Sequence, residues 1–60
     1  PVLPATQEER AQLLYTLGLA AVKQGDVAIG RGLLQEAVET HPQHFDAAVR
    51  SLRALESGTG

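Results

Sequence analysis

Gly25-Asp26 and Pro42 restrict this chain most, because they cut it into three stretches that each repeat apolar residues with helical spacing. Glycine readily takes the left-handed position just past a helix end. Aspartate is a good N-cap for the helix that follows. The residue before a proline is biased away from the α region. Thr6 followed by Glu9 fits a capping box, in which hydroxyl and carboxylate satisfy backbone N–H groups left over at a helix start. Together these signals predict helices over about 7–24, 27–40 and 44–56. Residues 1–5, with two prolines, read as a linker, and residues 58–60, with Gly58 and Gly60, as a flexible tail. Residues 6–57 then form a single domain. Nothing alternates with period two for long, so no strand is expected. The predicted fold is all-α: an antiparallel helix–turn–helix followed by a third, amphipathic helix.

The apolar patterns of the segments differ. In the third, Phe45, Ala48, Val49, Leu52 and Leu55 form one stripe, and Asp46, Arg50, Arg53 and Glu56 lie off it. Such a helix covers a core on one side and meets water on the other. Asp46 and Arg50 are spaced to pair across one turn. The first segment is apolar nearly all round. Leu14, Leu17, Gly18 and Ala21 make one stripe, Tyr15, Leu19 and Val22 a second, and Leu13 and Ala20 fill between. A helix apolar on every side needs cover on several sides, and two further helices of this chain supply too little of it.

Composition removes several functions. Sixty residues make one small domain, which buries only roughly 60% of its unfolded surface. Chains of this size usually gain support from disulfides, a metal or a partner. There is no cysteine, which excludes disulfides, thiolate metal sites and thiol catalysis. The net charge is −2 and no Lys/Arg cluster occurs, so nucleic acid is not an expected partner. No run of about 18 apolar residues exists, so no membrane span is expected. The first residues lack a basic stretch followed by an apolar run, so no signal peptide is expected among them. The chain does not begin with Met and reads as a processed product or a piece of something longer, which leaves the compartment open, with the cytoplasm slightly favoured.

Leu14, Leu17, Gly18 and Ala21, followed by Gly30, Leu34, Ala37 and Pro42, have the spacing of a known pattern: W-x2-L-G-x2-Y, then A-x3-F, then P. Over Ala11 to His44 the sequence resembles the tetratricopeptide repeat, a helix–turn–helix unit. Leu17-Gly18 stands at the family's Leu-Gly pair, and Pro42 at its closing proline. Leu14, Ala21 and Leu34 replace the family's Trp, Tyr and Phe, and Gly30 replaces a small Ala. Lys23-Gln24-Gly25-Asp26 looks like the family's inter-helix turn. Gly18, Gly30 and Ala37 would let the two helices approach closely. Gly30 and Gly32 each cost about 1 kcal/mol relative to Ala inside a helix. The third helix has Ser51-Leu52 where Leu-Gly would start the next repeat, and its single apolar face resembles a terminal cap.

The resemblance implies a protein–protein interaction module rather than an enzyme, with a partner peptide or helix in an apolar groove lined by the first helix of each repeat. On this chain it implies Gln12, Tyr15, Leu19, Val22 and Lys23, continued by Asp46, Val49, Arg50 and Arg53. The family's clamp for a peptide's terminal carboxylate is not expected, because Tyr15 and Leu19 replace its polar residues and Asp46 would repel the ligand. The isolated chain is expected to form a homo-oligomer through Tyr15, Leu19 and Val22. Two other readings stay open: the C-terminal structural or self-associating end of a longer repeat array, and an accessory repeat of a larger transferase. No cofactor is expected. His41 and His44 straddle a proline and read as solvated loop residues rather than metal ligands. Gly30-Arg31-Gly32 falls mid-helix without the preceding strand that a phosphate loop needs. Ser51 has no plausible oxyanion partner and reads as a surface residue.

Overall fold

The computed structural model describes residues 6–57. The expected linker and tail, residues 1–5 and 58–60, lie outside the described residues. The chain forms three helices, α1 (Gln7–Lys23), α2 (Val27–Thr40) and α3 (Asp46–Glu56), with no strand among the described residues. α2 is central and packs on α1 and on α3.

Thr6 starts α1 from an extended conformation (φ −133°, ψ 161°), and its Oγ1 accepts a 3.1 Å hydrogen bond from the Glu9 N–H. Glu8 and Glu9 in the first turn and Lys23 in the last complement the helix dipole. The helix ends at Lys23, one residue before the expected Gln24, in a Schellman turn. Gly25 adopts φ +96°, its N–H donates to the Val22 carbonyl at 3.0 Å, and the Asp26 N–H donates to the Ala21 carbonyl at 2.9 Å. Asp26 occupies the N-cap position of α2, but its carboxylate makes no capping bond, contrary to the sequence expectation. The Schellman turn holds its N–H and leaves ψ at 68°, far from the extended value that aims the Thr6 side chain over its own helix. Only the Asp26 carbonyl joins α2, accepting from the Gly30 N–H at 2.9 Å.

His41 closes α2 with extended backbone (φ −64°, ψ 133°), as the following proline requires. α3 begins at Asp46, two residues later than predicted. The His41 imidazole bonds the Gln43 backbone in a local turn, and Phe45 caps the helix without a side-chain bond. Asp46 sits in the first turn of α3 and receives the Arg50 Nε at 2.9 Å, with His44 Nε2 at 3.6 Å.

Gly18 and Gly30 set the approach of α1 to α2. A Cβ on Gly18 would lie 2.9 Å from Leu34 Cγ and 3.1 Å from the Gly30 carbonyl oxygen. A Cβ on Gly30 would collide with Val22 Cγ2 and lie 2.7 Å from the Gly18 carbonyl oxygen. Gly18 thus meets Gly30 and Leu34 while Gly30 meets Gly18 and Val22, which is an antiparallel register. Gly32 is different: it is exposed, and a Cβ there would meet nothing within 4 Å.

Ala11, Leu34, Ala37 and Ala48 are fully buried, and Leu34 is the only large side chain in that state among the described residues. Leu14 and Leu52 are half-buried. Leu17 remains 48% exposed, and Leu13 and Ile29 are 51% and 59% exposed. The small residues that bring α1 and α2 together leave little interior volume for large ones. α3 matches its predicted polarity: Ala48 is buried, Phe45, Val49, Leu52 and Leu55 are half-buried, and Asp46, Arg50, Arg53 and Glu56 face water.

Candidate interaction groove

α1 and α3 both pack on α2 and touch each other little, with a groove between them. It is lined by Leu19 and Val22 of α1, Leu34 of α2, and Ser51, Ala54 and Leu55 of α3, with a volume of about 200 Å³. Carbon dominates the lining. The one hydroxyl, on Ser51, donates to the Ala47 carbonyl of its own helix at 3.1 Å and presents little unmet polarity to the groove.

An aromatic cluster joins α1 to the start of α3. The rings of Tyr15 and Phe45 are 5.2 Å apart and inclined at 52°, and those of His41 and Phe45 are 4.7 Å apart at 37°. Such tilted pairs are worth about 0.5–1.5 kcal/mol beyond the area they bury. The His41 Nδ1 lies 3.1 Å from both the amide nitrogen and the carbonyl oxygen of Gln43, so either tautomer finds a partner there. Its Nε2 is 4.0 Å from a Glu8 carboxylate oxygen, and the side chain is only 11% exposed. His41 is therefore not the solvated loop residue expected from sequence. Stacking on Phe45 and the Gln43 hydrogen bond leave it half-buried. His44 does face solvent. Among the described residues, no three His, Asp or Glu side chains come together as a metal site would require.

The residues expected to bind a partner separate into groups. Leu19 and Val22 line the groove, and Tyr15 joins the aromatic cluster. Gln12 and Lys23 are exposed on α1. Arg50 is exposed and paired with Asp46. Val49 and Arg53 each stand two residues from Ser51, which turns them roughly 200° away from it around α3. The groove wall on α3 is instead Ser51, Ala54 and Leu55. Their three- and four-residue spacing was visible in the sequence. Which stripe of α3 faces α1, however, depends on how the helix is rotated against α2. Comparison with protein-family models, with curated proteins and with solved structures finds no match.

Proposed function

We propose that this chain is a protein–protein interaction module of the tetratricopeptide type, which takes an apolar segment of a partner protein between α1 and α3. The proposal assigns the chain no chemistry of its own. The observation that carries it is the groove itself: Leu19, Val22, Leu34, Ala54 and Leu55 converge on an open, unfilled apolar space. Its volume of about 200 Å³ is below the roughly 300–1,000 Å³ of small-molecule sites, and it suits a few side chains of a peptide better than a metabolite. No helix among the described residues is long and apolar enough to cross a membrane, so a membrane span is not a competing use of these apolar stripes.

Magnitudes set the expected affinity. Each partner side chain that becomes fully buried gains roughly 1.5–3 kcal/mol. Association costs about 4–15 kcal/mol. Two or three anchors therefore leave at most about 5 kcal/mol, a Kd of roughly 0.2 mM or weaker. The test is fluorescence anisotropy with a panel of labelled amphipathic peptides carrying Leu at i, i+3, i+4 and i+7. At least one such peptide binds the wild type, and Leu19→Lys or Leu55→Lys weakens it strongly, whereas Arg53→Ala leaves it unchanged. Equal binding by wild type and both lysine variants would refute the groove as the site.

A further inference from the structure

We propose that the face of the α1–α2 hairpin opposite α3 is a self-association surface, on which two copies of the chain pair about a two-fold axis parallel to the helices. Successive helical residues are rotated by roughly 100°. Leu19 turns from the Gly18 contact toward the groove, so Leu17 turns the other way, with Leu13 one turn behind it. On α2, Leu34 lines the groove, so Leu33 turns away from it, with Ile29 one turn before. These four residues put leucine and isoleucine along both helices of one face, and three of them are about half exposed: Leu13 at 51%, Leu17 at 48% and Ile29 at 59%. With a single large side chain fully buried among the described residues, the domain has little core of its own, the condition in which small domains draw on a partner.

The occupant follows from the register. Gly18 sits between Gly30 and Leu34, which places it level with Gly32, Leu17 level with Leu33, and Arg10 level with Thr40. A two-fold axis parallel to the helices keeps those levels and lays α1 of one copy antiparallel on α2 of the other. Leu17 then meets Leu33 of the second copy, and Leu13 and Ile29 flank that contact. Arg10 comes within one helical turn, roughly 6 Å along the axis, of Glu36 on the second copy. Neither Arg10 nor Glu36 has an ion pair among the described residues. The face is thus complementary to itself in apolar pattern and charge, as a symmetric pair requires. Burial of Leu13, Leu17, Ile29 and Leu33 supplies the affinity, and the two Arg10–Glu36 pairs fix the orientation.

The experiment is sedimentation equilibrium of the sixty-residue chain from micromolar to millimolar concentration, with helix content checked by circular dichroism. The wild type is expected to dimerise. Leu17→Glu should weaken the dimer about tenfold or more without loss of helix, since Leu17 is half exposed in the monomer. Arg10→Glu should weaken it by a smaller factor, and the double change Arg10→Glu with Glu36→Arg should restore it. Leu19→Glu, on the groove side, should leave it intact. A wild type that stays monomeric at millimolar concentration overturns the proposal. So does a double charge exchange that is no tighter than Arg10→Glu alone, or a dimer lost through Leu19→Glu and kept in Leu17→Glu. Peptide binding in the groove is read separately, so one result does not decide the other.

Discussion

Gly18 and Gly30 press their backbones together where α1 crosses α2: an added Cβ on Gly30 would stand 2.7 Å from the Gly18 carbonyl oxygen, and one on Gly18 would stand 3.1 Å from the Gly30 carbonyl oxygen. Alanine at a helix interior is normally favoured over glycine by about 1 kcal/mol. Here steric conflict should reverse the sign. Gly30→Ala meets rigid backbone and is expected to cost roughly 1–3 kcal/mol, as overpacking does. Gly18→Ala mainly displaces the Leu34 side chain and should cost less. Gly32→Ala meets open space and should stabilise by up to about 1 kcal/mol. Urea denaturation of the three variants checks the order.

Leu34 should dominate the core. Leu34→Ala is expected to cost roughly 2–5 kcal/mol, a large share of what a domain of this size holds. Leu14→Ala and Leu52→Ala remove half-buried side chains and should each cost clearly less. The midpoints of thermal melts followed by circular dichroism should rank Leu34→Ala lowest.

Gly25 tests the turn without any packing change, because its φ is +96° and a Cβ there would meet nothing within 4 Å. Gly25→Ala should cost roughly 1–2 kcal/mol from backbone conformation alone. Gly25→Asn should recover part of that loss, since asparagine tolerates the left-handed region better. Chemical denaturation of both variants measures the difference.

The features legible in the sequence are those fixed by neighbours along the chain. The Thr6 cap, the Gly25 turn and the helix stop before Pro42 all act within a few residues. The close approach at Gly18 was legible as well, through the spacing of small residues on two adjacent helices. Three other features depend on tertiary placement and are not fixed by neighbours along the chain. His41 is half-buried through contacts with Phe45 and Gln43. α3 starts at Asp46 because the turn at Gln43 takes up the preceding residues. The groove wall falls on Ser51, Ala54 and Leu55, away from Val49 and Arg53, because Ala48 rather than Ala54 is the α3 residue fully buried in the core. Apolar periodicity marked α1 as needing cover on several sides, and Leu13 and Leu17 show which flank goes without it.

Phe45 links the start of α3 to both Tyr15 and His41, and so ties α3 to α1 beside the groove. Phe45→Ala should cost roughly 3–5 kcal/mol if the ring's burial were complete, and less here because Phe45 is half-buried. Phe45→Leu keeps bulk but loses the ring contacts, and should weaken peptide binding while retaining helix. Paired anisotropy and circular dichroism measurements on Phe45→Leu separate those effects.

The most direct test of the interaction groove is an amide-resolved nuclear magnetic resonance titration of the chain with the tightest peptide from the amphipathic panel. The largest shifts are expected at Leu19, Val22, Ser51, Ala54 and Leu55, with Leu13, Leu17 and Ile29 unchanged. Shifts confined to Leu13, Leu17 and Ile29, or no shift at millimolar peptide, would contradict the account.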